Sequence, residues 1–342
     1  MKEINFFLRE MTHLRYFIPL VLEGNARGMK SIFYVVPSNK YNCPLLHEIS
    51  LKSACEQLNV EIREGRKIVD AEGIIITSEE SGIDIIKKNT KAKKVTLCYQ
   101  TDYTLSYQKY IDIVDHVVMP SENVAKFYDL VSEKNLFTGI PKYDVRLDVE
   151  TVIKKYSLDP NKKKVLFMWP KSRDLHKMPI DIIKNFNELG WQVIVKTRGK
   201  DTLHNNTIKD LLDNGNKVFS DASWYPHSTQ ELLEVCDLVV NSGSTTIEEC
   251  VMHEVPLINF DIKPEVRHGR KSKHRVTYDF LYDYDFCLNL KGLDRSFNTG
   301  KLEEMITLLV DSDHTDSFRK CKREWLYDHK NSCKNLLDVL TS

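Results

Sequence analysis

Short apolar runs alternate along this chain with longer segments whose apolar positions recur every three or four residues, the mark of strands followed by amphipathic helices. In the first half the strand-like runs are Ile4 to Leu8, Ser31 to Val36, Gly73 to Thr77, Lys94 to Cys98, His116 to Met119 and Leu136 to Thr138. Between them the helical period predicts helices over Leu14 to Leu22, Leu45 to Leu58 and Val124 to Val131, the last with Ser121 as N-cap and Glu122 in its first turn. Such alternation predicts a parallel sheet covered by helices on both faces. A polar stretch, Asp144 to Lys164, interrupts it, and the pattern then restarts. Strands are expected at Val165 to Trp169, Gln192 to Lys196, Lys217 to Phe219, Asp237 to Val240 and Pro256 to Phe260, with helices at Pro179 to Leu189, Ser228 to Val235 and Thr246 to His253.

The expected organisation is therefore an α/β chain of two doubly wound, Rossmann-like parallel-sheet domains, residues 1–145 and 146–312, facing each other across a deep cleft. The remainder, 313–342, reads as one charged helix from Ser317 to Leu340 that packs back on the N-terminal domain. At 342 residues the chain exceeds what one core usually serves.

Composition narrows the function classes. Lys plus Arg and Asp plus Glu both number 49, so no global charge draws nucleic acid or an anionic membrane. The N-terminal apolar run is too short for a signal peptide, and no stretch has the roughly 20 apolar residues of a membrane span. A cytoplasmic location is expected, with at most peripheral contact at the inner face of the membrane. The 8 cysteines are scattered, as in Leu97-Cys98-Tyr99 and Val235-Cys236-Asp237, and read as reduced core thiols; no spacing fits a metal.

The candidate chemistry centres on the turn between the strand ending at Asn241 and the helix starting at Thr246. A turn this short aims the first helix amides at a ligand, where unpaired N–H groups and the helix dipole favour phosphate. Gly243 permits close backbone approach, Ser242, Ser244, Thr245 and Thr246 bring hydroxyls, and Glu249 offers a carboxylate to a ribose diol. Simple helix capping by Ser and Thr is the competing explanation.

The spacing Ser-Gly-x-x-Thr-x-x-Glu, with Pro256 opening the next strand, resembles the donor-site signature of GT-B glycosyltransferases, above all the N-acetylglucosamine transferase of peptidoglycan synthesis. That resemblance implies a GT-B fold, a nucleotide-sugar as substrate with no separate cofactor, Glu249 on the ribose, and Ser242, Gly243, Ser244 and Thr246 at the diphosphate. UDP-N-acetylglucosamine 2-epimerases also resemble the chain, but carry Ser-Gly-Gly then Gln-Glu-Glu where Thr246-Ile247-Glu248 stands here. Teichoic-acid polyol-phosphate transferases resemble it through Leu166 to Pro170 and Val195-Lys196, yet their His-Gly pair is replaced by Cys98-Tyr-Gln-Thr-Asp102. A noncatalytic nucleotide-sugar-binding protein is the reading from another class.

Further candidates follow from loop position. Lys196 and Arg198, and likewise Lys171 and Arg173, follow strands and would neutralise a diphosphate leaving group; solvated surface pairs are the alternative. Trp224 and Tyr225 lie where a base would stack, or plug the domain edge. For the general base of an inverting, metal-independent transfer, Asp102 ranks first, then His13, with Glu10 competing. Gly139 to Asp144 is similar to the Gly-x-Pro interdomain turn of these families and is expected as a hinge. The basic run Arg267 to Arg275 reads as a loop that meets a phosphorylated, glycan or lipid-linked acceptor, or an acidic polymer, with a solvated loop as the alternative.

Overall fold

The computed structural model describes residues 2–9, 11–36, 55–98, 107–145, 147–170, 177–197, 203–220, 225–260, 277–290, 298–327 and 331–342. The chain divides into two compact units: Met1–Val145 with Arg323–Ser342, and Arg146–Lys322.

In the first unit, among the described residues, β1 (Glu3–Leu8), β2 (Lys30–Val35), β3 (Glu61–Glu64), β4 (Ile74–Ser78), β5 (Lys93–Leu97), β6 (His116–Val118) and β7 (Asn135–Leu136) form one sheet. Their order is β3-β2-β1-β4-β5-β6-β7 and every pairing is parallel. The strands β1, β2 and β4 are almost continuously buried, as a sheet covered on both faces requires. Helices α1 (Leu14–Ala26), α2 (Ile83–Ile86) and α3 (Glu122–Phe127) connect them. Phe17 of α1 meets Phe6 of β1 at 5.1 Å between ring centroids, and Phe33 of β2 stands edge-on to Phe6 at 5.4 Å. Ser121 caps α3 as expected, its Oγ accepting from Val124 N at 3.2 Å.

The second unit repeats the plan. Among the described residues its helices include α4 (Val149–Tyr156), α5 (Lys177–Glu188), α6 (Asn205–Asp213), α7 (Ser228–Leu233), α8 (Thr246–His253) and α9 (Thr299–Val310). Its strands β8 (Lys164–Met168), β9 (Gln192–Thr197), β10 (Lys217–Ser220), β11 (Leu238–Asn241), β12 (Leu257–Phe260) and β13 (Cys287–Leu290) run parallel in the order β10-β9-β8-β11-β12-β13. Counted from each unit's first strand, both sheets follow 3-2-1-4-5-6, with a seventh strand added at the end of the first, so the direction of winding reverses between β1 and β4 and again between β8 and β11. Ligands of open α/β sheets bind at the carboxyl ends of the strands flanking that reversal. A core around Phe167, Trp169, Phe186, Trp191 and Leu238 holds the second sheet to its helices.

Several elements differ from the expectation. The strand β3 reads Glu-Ile-Arg-Glu, too short and charged to show a period, and it sits at the sheet edge. The polar stretch after Asp144 contains α4, which buries only Val152 and Tyr156, four residues apart, and is capped by Asp148 through Thr151 N at 2.8 Å. The strand β13 and the helices α6 and α9 also went unexpected, while Leu45 to Leu58 falls largely outside the described residues. The single C-terminal helix is in fact two, α10 (Thr315–Trp325) and α11 (Ser332–Thr341). Asn331 stands between them at φ 113°, a left-handed conformation that no continuous helix accepts. Among the described residues no helix is long and apolar enough to cross a membrane.

The helix α11 docks on the first unit through Cys333, Leu336, Leu337 and Leu340, a stripe at helical spacing. Its carbonyl end receives Lys2 Nζ on Thr341 O at 2.7 Å and Lys93 Nζ on Leu340 O at 3.1 Å, cations placed where the dipole is negative. Its amide end is held by one carboxylate: Asp144 accepts from the backbone N–H of Asn331 at 3.3 Å, Ser332 at 3.0 Å and Cys333 at 2.6 Å. The segment expected as a hinge therefore seats the last helix. Gly139, at φ 89°, lies so close that a Cβ there would meet Ser332 Oγ at 2.2 Å. Replacing Asp144 with Ala should cost about 2 kcal/mol and lower the Tm by roughly 5 °C, whereas Asp144→Asn, which keeps an acceptor, should lose about half as much. Thermal denaturation followed by circular dichroism reads both; equal melting of the two variants would refute the capping role.

Candidate functional site

The segment Ser242 to Thr245 joins β11 to α8 at the carboxyl end of the sheet, on the strand that flanks the winding reversal of the second unit. It is built by side chains from three other places. Asn241, wholly buried, accepts from Ser244 N at 3.3 Å and donates to Ser244 O at 3.1 Å and to the Tyr282 hydroxyl at 3.0 Å. That hydroxyl in turn donates to Ser244 O at 3.0 Å. Asn259, also wholly buried, accepts from Gly243 N at 2.9 Å and donates to Asn289 Oδ1 at 2.8 Å. Gly243 sits at φ 63°, the region glycine enters without strain.

The hydroxyls do not cap the helix. Thr245 occupies the N-cap position in αR conformation with no side-chain cap bond, and the nearest approach is Ser244 Oγ to Thr246 N at 3.5 Å. Ser244 Oγ instead meets Thr246 Oγ1 at 3.2 Å. Ser242 Oγ is buried and makes no hydrogen bond among the described residues. The Thr245 N–H likewise has no partner among them. A buried hydroxyl left unpaired in a folded protein calls for a ligand, a water or another explanation. In the first helical turn, Glu248 is fully buried and the Glu249 side chain is 12% exposed.

Beside Glu249 lies a residue that sequence reasoning passed over. His227, at the N-cap of α7 and almost fully buried, places Nδ1 3.9 Å from Glu249 Oε1. It directly follows Tyr225-Pro226, the half-buried loop already expected to meet a base, and that adjacency was the available signal. The helix α7 is buried throughout, including Ser228, Thr229 and Gln230. Its Glu231 receives both Lys155 Nζ, at 2.7 Å, and the Tyr156 hydroxyl, at 2.6 Å, from α4. The asparagines were missed too, although each interrupts an apolar run: Val-Val-Asn241, Leu-Ile-Asn259-Phe and Cys-Leu-Asn289-Leu.

Lys196 is 2% exposed, so it is not a solvated surface residue. The pairings Phe167↔Val240 and Met168↔Lys196 put it level with Asn241, two strand spacings or roughly 10 Å across the sheet. Arg198, Lys171, Arg173, Trp224, Asp102, Glu10 and the run Arg267 to Arg275 lie outside the described residues. Among the described residues, no group of three or more His, Cys, Asp or Glu side chains has the arrangement of a metal site. The described cysteines are buried thiols, and burial pushes those of Cys55 and Cys98 up to about 12.

No family model matches the chain. A processive diacylglycerol beta-glucosyltransferase of Bacillus subtilis (strain 168) is 28% identical over 227 residues, 61% of this chain. The chain thus spans 56% of the length of the curated relative it matches. Among solved structures, the wall teichoic acid polymerase TagF superposes with a TM-score of 0.65 at 12% identity, covering 99% of this chain and 88% of that one. A UDP-GlcNAc 2-epimerase of Methanocaldococcus jannaschii, in complex with UDP-GlcNAc and UDP, gives 0.54 at 12%, covering 100% and 99%. A glycosyltransferase of Rickettsia africae gives 0.53 at 13%, covering 99% and 98%. The fold is GT-B. Within this GT-B chain the turn after β11 belongs to the second of the two Rossmann-like units.

In the first unit His13 follows β1 as expected, but its side chain is inside the fold, 4% exposed, edge-on to Phe17 at 5.8 Å between centroids. Burial, reinforced by the nearby Arg9 charge, lowers its pKa from 6.5 to about 4. The imidazole is therefore neutral in the folded chain while the unfolded chain binds a proton below about pH 6.5. Between pH 6.5 and 4 the unfolded state holds more protons, so stability rises with pH and is lost on acidification through that window. From pH 7 to pH 5 the wild type should lose about 2 kcal/mol more than His13→Leu. Urea unfolding at the two pH values measures the difference, and parallel losses would contradict a buried neutral His13.

Proposed function

We propose that this chain is a glycosyltransferase that holds a nucleotide-activated sugar at Ser242 to Glu249 and passes the sugar to a hydroxyl acceptor. The observation that carries the reading is the β11–α8 turn at the winding reversal, with the Ser242 hydroxyl and the Thr245 amide unpartnered beside a helix N-terminus. A diphosphate would take its hydrogen bonds from those groups, and the buried Lys196 lies level with Asn241, the residue before the turn, two strands away. Glu249, in the first turn of α8, would accept from the ribose hydroxyls, with His227 at its side. The name of the Bacillus subtilis relative supports glucosyl transfer and suggests a lipid-borne hydroxyl as acceptor.

UDP is the preferred nucleotide, and inversion by a single displacement the preferred course. The charge that develops on the departing diphosphate would be met by the turn amides, the hydroxyls and Lys196. Among the bases, His13 is enclosed in the fold at 4% exposed and packed against Phe17, so the carboxylates Asp102 and Glu10 are preferred for the role. An epimerase is the second reading, favoured by the fold it shares with the Methanocaldococcus jannaschii enzyme; the segment Thr246-Ile247-Glu248 speaks for the transferase.

A thermal-shift screen of UDP-, CDP-, GDP- and CMP-linked sugars should give a rise in Tm with one donor, and Glu249→Ala should raise that donor's Kd about tenfold or more. Unchanged affinity in the variant would remove the ribose role. Incubation with UDP-N-acetylglucosamine alone should leave it unchanged by NMR, and appearance of the manno epimer would replace the transferase reading with the epimerase.

A further inference from the structure

We propose that Asn259 is a positioning residue that decides which groups of the turn face the diphosphate. The inference rests on the donor site proposed above and concerns how that site is kept selective. Three neighbouring parallel strands carry asparagines level with one another, paired Asn241↔Asn259 and Asn259↔Asn289, at the last residue of β11 and the last but one of β12 and β13. The polarity of the chain they form is fixed. Asn289 Oδ1 accepts from Asn259 Nδ2, so Asn259 must present Oδ1 to Gly243 N–H. Asn241 and Tyr282 take up Ser244 N–H and Ser244 O in the same way.

Both backbone amides at the apex of the turn are thus satisfied from behind by the protein. What remains without a partner among the described residues is the Ser242 hydroxyl and the Thr245 N–H. Without the Asn259 bond, Gly243 is the residue free to rotate, since it already occupies a region open to glycine on either side of φ zero. The flanking donors would then lose their common direction. Preorganised donors are worth most when they need not reorient as charge arrives, so the loss should fall on the phosphates and spare the nucleoside.

The test is the affinity of the full chain for UDP and for uridine, by calorimetry and ligand-observed NMR. Asn259→Ala should raise the Kd for UDP by about tenfold and leave that for uridine within about twofold. Asn289→Asp, which keeps the acceptor that orients Asn259, should bind both ligands as the wild type does. Should Asn259→Ala fail to fold, Asn289→Ala removes only the orienting partner and should cost UDP about threefold, again sparing uridine. An equal loss of UDP and uridine, or unchanged UDP affinity, overturns the positioning role while leaving the donor site in place. A wild type that binds no UDP, CDP or GDP overturns the donor site itself, and the role of Asn259 with it.

Discussion

The hydrogen bond from Gly243 N–H to the buried Asn259 amide ties the end of one strand to the turn after its neighbour, and the second unit's candidate chemistry depends on it. A parallel sheet buried on both faces has no water with which to satisfy polar groups where its strands stop. At β11 and β12 the chain meets that constraint with buried asparagines, each offering a donor and an acceptor in one plane, and the exposed Asn289 on the edge strand β13 continues the line. The apolar residues before each asparagine fix the strands, and the asparagines fix the turn. A loop of four residues thereby acquires the rigidity of the sheet, which is what a site needs if its donors are to be in place before the ligand arrives.

The same logic appears at α7. A six-residue helix buried along its length cannot rely on an apolar stripe, and it carries Ser228, Thr229, Gln230 and Glu231 inside. Lys155 and Tyr156 on α4 answer the Glu231 carboxylate with three hydrogen bonds at 2.6 to 2.7 Å. A buried carboxylate is costly unless paired, and here the pairing comes from the first helix of the second unit. The polar composition of α4, which hides it from a periodicity search, follows in part from this pairing. Two buried apolar residues suffice to seat the helix because its lysine and tyrosine are committed to Glu231.

The periodic elements were legible because burial on both faces writes itself as uninterrupted apolar runs, as in β1, β4 and β11, and because the turn after β11 has a length that leaves few alternatives. Helix α8 was read to its ends, Thr246 and His253. What escaped was structure specified by contacts distant in sequence. The edge strand β3 takes its place from β2 alone. The break at Asn331 reflects a carboxylate 187 residues earlier, at Asp144. Asn259 and Tyr282 act on a turn that precedes them by 16 and 38 residues, and although Asn259 interrupts an apolar run, nothing beside it in the chain points to that turn. Local pattern reveals where a ligand turn lies; it does not reveal what holds it.

Charge placement separates the two candidate ends of the reaction. Lys196 is 2% exposed and has partners within the fold, whereas His13, in the segment after β1, is held neutral by burial. An anionic leaving group needs a cation that is desolvated and held in advance, because attraction grows as water is excluded. An acceptor hydroxyl needs the opposite, a group free to take a proton at the working pH. Burial closes His13 off from that role, and what it holds in the interior is a neutral imidazole edge-on to Phe17. If the proton is taken up in the first unit, a carboxylate on a loop suits that role better than a histidine in the core, since only the former keeps its charge without breaking the packing of the helix that follows.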